Sequence, residues 1–216
     1  MKVVVLGASG GCGQQLVHQG KLRGHEVTAV VRSQTWQPPS GVTVLRGDLT
    51  NETFLREAVR GKDAVLSALG FRLKGLMPWN KPEDPTFLAR STNALIAAMK
   101  AENVKRVLAI SSGGVGDSFA VMPGIMKFMI KNTALKHAFP ELEKMEATLL
   151  SSGLDVCIPR PSGLVDGPPA GNVKIARSFN GRATISRADV ASWMLEQLGK
   201  PSFDEKTPMI SVTGVA

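Results

Sequence analysis

Short apolar runs alternate with amphipathic stretches along the whole chain. Residues 3–6 (Val-Val-Val-Leu) read as a buried strand. The β-branched run 26–31 reads as a second strand, 42–46 as a third and 64–69 as a fourth. Residues 107–111 and 155–158 supply two more strands, and 209–212 a last one. Between them the period lengthens to that of helices. A helix follows the first strand over residues 14–23. Asn51 can cap another over 52–60. Asp84 followed by Pro85 reads as a cap and first helical position, opening a helix to about residue 101. Residues 141–150 place Leu142, Met145 and Leu149 on one face. Ser186-Arg-Ala-Asp189 has the form of a capping box, ahead of an apolar face of Val190, Trp193, Met194 and Leu198.

Strands alternating with helices predict a parallel sheet covered on both faces, the doubly wound Rossmann arrangement, here with a small C-terminal substrate-side extension. The pattern predicts a single domain over residues 1–216, with segments 113–139 and 160–183 as substrate-side loops. Ligands in such sheets lie at the carboxyl ends of the strands, so the residues after each strand carry the chemistry. The first strand runs into Gly7-Ala8-Ser9-Gly10-Gly11-Cys12-Gly13 and then a helix. Gly7 permits the sharp turn, Gly10 lets backbone approach a diphosphate, and Gly13 lets helix pack on strand. Strand before and helix after are the context that makes this glycine pattern a dinucleotide signature.

After the second strand come Arg32 and Ser33. An acidic residue there would suit a free ribose 2′-hydroxyl; an arginine suits a 2′-phosphate, which favours NADP(H) over NAD(H). Asp48 is placed to accept from an adenine amino group with Leu49 on the ring, or to cap the next segment. Ala68, Leu69 and Gly70 let backbone run close to the cofactor ribose, and Arg72 can meet phosphate or a substrate carboxylate. After the fifth strand, Ser111 and Ser112 are candidates for orienting the nicotinamide or an acceptor carbonyl, and Gly113 and Gly114 leave space for a flat ligand. Pro159, Arg160 and Pro161 can floor the nicotinamide pocket.

Composition narrows the function classes. Hydrophobic residues make up 43% and charged residues 20% of the chain, ordinary for a globular protein. Its 26 Lys and Arg against 18 Asp and Glu give a net +8, scattered rather than clustered. Attraction of an anionic cofactor or substrate, or plain solubility charge, accounts for that better than a nucleic-acid surface. Cys12 and Cys157 read as reduced thiols, and His18, His25 and His137 show no ligand spacing, so no metal is expected. No apolar run reaches membrane-spanning length, and because residues 3–6 read as a core strand no signal peptide is expected there. A cytoplasmic monomer or weak homodimer is the expectation.

These strand ends resemble the atypical short-chain dehydrogenase/reductase superfamily, in its NAD(P)H-binding, NmrA-like branch and, within it, the flavin reductases also called biliverdin-IXβ reductases. The likeness spans nearly the whole chain. It rests on Gly7–Gly13, Val31-Arg32-Ser33, Gly47-Asp48-Leu49, Asp63-Ala64-Val65 with Leu69-Gly70, Asn93 to Lys100, Ser111-Ser112, Ser152-Gly153-Leu154-Asp155, Arg160-Pro161 and Ile185 to Val190. The resemblance implies an NADPH reductase of flavins or tetrapyrroles, with Ser112 beside the nicotinamide and Arg32 on the 2′-phosphate. It departs at 159–162, where the reductase pattern has a second proline and a histidine.

The chain contains no tyrosine. The Tyr-x-x-x-Lys route to carbonyl reduction is therefore excluded, since Lys136 and Lys144 have no phenol beside them. The acceptors left are those that spread incoming charge over a conjugated system: a flavin, a bilin or a quinone. Met122, Ile125, Met126, Met129 and Ile130 form a helical apolar stripe. It reads as a helix docked on the domain, a pocket lid or an interface. A non-catalytic NADP(H) sensor of the NmrA-like type is the rival from another class.

Overall fold

The computed structural model describes residues 1–71 and 75–215. Its centre is a six-stranded sheet of β1 (Lys2–Leu6), β2 (Glu26–Val31), β3 (Thr43–Arg46), β4 (Ala64–Ser67), β5 (Arg106–Ala109) and β6 (Asp155–Cys157). Every pairing is parallel and the order is β3-β2-β1-β4-β5-β6. The order reverses at β1, so the connections leaving β1 and β4 part and leave a crevice at their carboxyl ends. This is the Rossmann arrangement.

Alternation along β1 divides the core. Val3 and Val5 face α1 (Gly11–Leu22) and α6 (Arg187–Gln197), among Leu16, Val17 and Met194. Val4 and Leu6 face the opposite layer, α2 (Glu52–Val59), α3 (Phe87–Ala101) and α5 (Leu135–Leu150), among Leu55, Met99 and Met145. Burial on both faces is why these strands read as unbroken apolar runs. A 3₁₀ turn (Gly116–Val121) and α4 (Gly124–Asn132) follow β5, and α4 packs on α5.

The C-terminal extension is a pair of small sheets. β7 (Arg160–Pro161) pairs with β11 (Met209–Ser211), which also takes antiparallel β9 (Lys174–Ala176). β8 (Gly163–Val165) pairs with β10 (Thr184–Ser186). The last strand therefore lies in the extension, outside the central sheet. Among the described residues, no helix is long and apolar enough to cross a membrane.

Three helix starts differ from expectation, the first being α1, which opens at Gly11 and not at residue 14. α3 begins at Phe87, and Asp84 instead closes a turn, accepting from the Thr86 N–H at 2.9 Å and the Thr86 hydroxyl at 2.8 Å. α5 begins at Leu135 and carries Pro140 inside it. Its start is tightened by 3₁₀-type bonds from Lys136 N–H to the Thr133 carbonyl and from His137 N–H to the Ala134 carbonyl.

The caps formed as read: Asn51 accepts from the Phe54 N–H at 3.1 Å and Ser186 from the Asp189 N–H at 2.9 Å. Asp189 is 1% exposed, accepting from the Gly171 N–H at 2.9 Å and the Ser186 hydroxyl at 2.6 Å. Burial pushes its carboxyl up, but the bonds from Gly171, Ser186 and Ala170 outweigh that and hold it below the ordinary value. A depressed carboxyl stabilises the fold above about pH 4 and loses that contribution as pH falls through its folded value. Asp189→Asn should therefore lower stability by about 2 kcal/mol at pH 7, or about 6 °C in Tm. The gap should shrink at pH 3, which thermal unfolding at the two pH values checks.

Candidate functional site

The crevice is built around the turn that leaves β1. Gly7 holds φ +73°, and a Cβ there would lie 2.8 Å from the Ala68 carbonyl oxygen. The Gly10 N–H closes the turn on the Gly7 carbonyl at 3.0 Å, and the Gln14 N–H bonds the Gly10 carbonyl at 2.8 Å to open α1. Gly13 brings helix onto strand: a Cβ there would lie 2.1 Å from the Gly7 oxygen. α1 has no acidic residue in its first turn and no side-chain bond at its N-cap. Its leading N–H groups and the positive end of its dipole thus face the crevice, an arrangement suited to an anion.

The resulting groove has a volume of about 610 Å³. Gly7, Ser9 and Gly10 enter it from the turn, and Arg32 and Ser33 from the end of β2. Leu49, Ala68, Leu69 and Gly70 also line it, so the structure brings nine of the sequence-predicted residues together. Ala8 is buried beneath the turn, and Gly11, Cys12 and Gly13 begin α1. Arg72 lies outside the described residues.

The Arg32 guanidinium lies 4.8 Å from the centroid of the Phe87 ring, a stacking that orients a long side chain at modest entropic cost. Arg46, paired with Val31 across β2 and β3, donates to the Ser33 carbonyl at 3.3 Å and the Trp36 carbonyl at 3.0 Å. A second guanidinium thus holds the backbone at Ser33. Sequence reading missed Arg46, Phe71, Glu83 and Phe87 as site residues. The parallel register of β3 on β2 is the signal that could have found Arg46.

Other predicted residues sit elsewhere. Asp48 turns its carboxylate onto Thr50, accepting from the N–H at 2.8 Å and the hydroxyl at 2.9 Å, the local alternative to an adenine contact. Those bonds hold its carboxyl below the ordinary range. The segments after β5 and β6 stay zipped: the Ser111 N–H bonds the Pro159 carbonyl and the Gly113 N–H the Pro161 carbonyl, both at 2.9 Å. Space beside Gly113 and Gly114 is filled, because a Cβ would lie 2.5 Å from the Phe179 ring at the first and 2.7 Å from Ile130 at the second. On that side the two glycines leave none of the expected room for a flat ligand, while Gly114 also lines a cavity between α4 and α5.

Arg160 corrects another expectation. Its side chain is 5% exposed and faces away from the groove, with Nη2 at 2.6 Å from Glu146 Oε2 and Nη1 at 2.6 Å from Asp117 Oδ1. That bond holds the Asp117 carboxyl below its usual value. Pro159 and Pro161 supply zipper carbonyls on either side of it. Ser111 is 6% exposed and its hydroxyl has no hydrogen-bond partner among the described residues. Ser112 is half-buried and donates to the Gly113 carbonyl at 3.2 Å.

A second cavity, of about 370 Å³, opens between the 3₁₀ turn, α4 and α5. Val115, Phe119, Ile130 and Phe139 wall it, with Lys131, Lys136 and Glu143 among its polar lining. Pro140, also in its wall, has no N–H to give the Lys136 carbonyl. The methionine stripe docks by one edge: Met122 and Ile130 are buried while Ile125 is 60% exposed. Neither cysteine is poised as a nucleophile, since burial pushes the Cys12 thiol up to about 11 and that of Cys157 up to about 12.

Comparison with known proteins agrees with this geometry. A probable pinoresinol-lariciresinol reductase 3 of Arabidopsis thaliana is 27% identical over 223 residues, covering 99% of this chain and 68% of its own length. An uncharacterized Bacillus subtilis (strain 168) protein, YwnB, is 32% identical over 119 residues, 55% of this chain and half of its own. The chain thus spans two thirds or less of the length of several curated relatives. Among solved structures, ChuY, described as an anaerobillin reductase from Escherichia coli O157:H7, superposes with TM-score 0.79 at 22% identity, covering 97% of this chain and 96% of its own. A short-chain dehydrogenase/reductase of Veillonella parvula DSM 2008, solved with NADP, gives TM-score 0.79 at 19% identity, covering 99% and 95%. These likenesses show the fold. The family model described as NAD(P)H-binding matches residues 7–201, which include the glycine turn and the groove, and the chain belongs to that NAD(P)H-binding family.

Proposed function

We propose that the protein is an NADPH-dependent reductase that delivers hydride to a planar conjugated acceptor, a flavin, bilin or quinone. The observation that carries the cofactor choice is Arg32, stacked on Phe87 at the end of β2 and followed by Ser33, whose carbonyl accepts from Arg46. A 2′-phosphate is the anion such a cluster takes. The glycine turn and α1 would hold the diphosphate, and Ala68 to Gly70 the ribose side of the groove. Bound there, the nicotinamide would supply the hydride.

The reductase reading is supported by relatives and a structural neighbour that carry that word in their names. The acceptor class follows from the missing phenol: with no tyrosine in the chain, the acceptor's own conjugation must carry the charge and water its proton. The protein's part is then orientation at near-attack distance. The cavity between α4 and α5 is the acceptor-side space we favour. Its volume of about 370 Å³ suits a ring system of flavin or quinone size.

Titration with NADPH and NADH, then NADPH oxidation with FMN, FAD, menadione and biliverdin, tests the reading. Tight NADPH binding that weakens in Arg32→Ala, with turnover on at least one acceptor, supports it. Binding without turnover on any acceptor would favour the non-catalytic sensor, and absence of binding overturns both.

Ser111 supplies a sharper expectation. A buried hydroxyl without a partner costs stability, and such costs are retained where function uses the group. Ser111→Ala should raise Tm by about 2 °C and lower turnover at least about tenfold. Ser112→Ala, which loses only a local bond, should do less. Unchanged turnover in Ser111→Ala on every acceptor would remove that hydroxyl from the mechanism.

A further inference from the structure

We propose that Arg187 is a diphosphate-binding arm of the dinucleotide groove, held in waiting by Asp166. The inference rests on the reading that the groove takes a dinucleotide and adds a residue from the far end of the chain. Arg187 is the first residue of α6, and α6 packs along α1, with Gln19 Nε2 donating to the Ala188 carbonyl at 3.0 Å. The arginine stem lies flat on the first turn of α1. A methyl group added at Gly11 would come within 2.6 Å of Arg187 Cδ and 2.8 Å of its Nε. Glycine at that position therefore makes room for an arm as well as for backbone.

The guanidinium is set against its surroundings. It is a cation beside the positive end of a helix whose first turn has no acidic residue and whose N-cap has no side-chain bond. Like charges so placed repel. The carboxylate that offsets this is Asp166, with Oδ1 at 2.8 Å from Arg187 Nη1. Asp166 is 90% exposed at its side chain and Arg187 31%. An exposed ion pair contributes little, whereas a guanidinium forked onto a diphosphate beside the same N–H groups forms charge-assisted bonds in a partly desolvated site. Both charges also reach the Cys12 thiol, Arg187 lowering and Asp166 raising its pKa against the larger effect of burial.

The backbone beneath the arm does not need to move. Ser186 caps α6, and buried Asp189 ties the same turn to Gly171. Only the side chain must leave Asp166. The arm would thus read the middle of the dinucleotide, while Arg32 reads its adenosine end.

Calorimetric titration of wild type, Arg187→Gln, Arg187→Lys, Asp166→Asn and the double variant Arg187→Gln/Asp166→Asn with NADPH tests this. Adenosine 2′-monophosphate, which lacks the diphosphate, is the second probe. Arg187→Gln should raise the NADPH Kd about tenfold and leave that of adenosine 2′-monophosphate within about twofold. Asp166→Asn should tighten NADPH about threefold, and lose that effect in the double variant. Arg187→Lys should fall between wild type and Arg187→Gln. The salt dependence of NADPH binding should be shallower in Arg187→Gln.

An NADPH Kd within about twofold of wild type in Arg187→Gln overturns the proposal, as does an equal loss on both probes. Weakening by Asp166→Asn overturns it too, since the pair would then be structural. Should Arg187→Gln not fold, Arg187→Lys and Asp166→Asn carry the same comparison. Failure of the groove itself looks different: wild type would give no heat with NADPH.

Discussion

Gly13→Ala is expected to abolish tight NADPH binding, weakening it at least about 100-fold. The added Cβ would stand 2.1 Å from the Gly7 carbonyl oxygen and 2.8 Å from Ala8 Cα. Both neighbours are backbone of the turn that meets the cofactor, so neither can swing aside as a side chain can. Relief requires α1 to lift from β1, which costs about 3 kcal/mol and moves the N–H groups off their target. Gly124→Ala is the control, because a Cβ there meets nothing within 4 Å. Calorimetry and thermal unfolding on both variants check the result. Wild-type affinity in Gly13→Ala would show that helix–strand contact is not what the turn requires.

The second large effect is expected from Glu146→Gln. Glu146 and Arg160 are 4% and 5% exposed at their side chains, joined by a 2.6 Å contact and by a 3.0 Å bond from Arg160 Nε to Glu146 Oε1. Removing one charge from such a pair leaves the other buried with only Asp117, which is 86% exposed. Breaking a buried pair costs about 3–5 kcal/mol, here about 10 °C in Tm. Replacing both partners by apolar residues, as in Glu146→Leu/Arg160→Met, should cost less than the single change, since no buried charge is then stranded. Urea unfolding of the two variants separates these outcomes. A single variant as stable as wild type would mean that water reaches the pair.

The parts of the fold that were readable from sequence are those where local and tertiary signals agree. β1 and the glycine turn announce themselves because a strand buried on both faces leaves no polar interruption, and β2 is broken in its interior only by the β-branched, buried Thr28. Asn51 and Ser186 were readable as caps because a cap is a contact between residues three apart. Arg160 was not. It follows β6 and has the position of a groove residue, but its partner Glu146 lies on α5, and no local pattern joins a strand end to a carboxylate on a packed helix. Asp48 allowed two readings, and the nearer partner Thr50 took it. Pro140 hid the first turn of α5, since proline normally marks a helix boundary. The strands of the extension other than β11, two or three residues long, are too short for any period to show. Arg187 sits inside a motif that was legible as a cap, and only the packing of α6 on α1 reveals where its side chain goes.

The proline within α5 has a mechanical consequence. Beyond it, Leu142, Met145 and Leu149 anchor the helix in the core. Ahead of it, the Ala134 N–H is tied to the Leu76 carbonyl at 3.0 Å and α4 rests alongside. The missing rung leaves one backbone bond fewer between the anchored shaft and the leading turn, in the wall of the second cavity, so bending at Pro140 would cost less than bending elsewhere along α5.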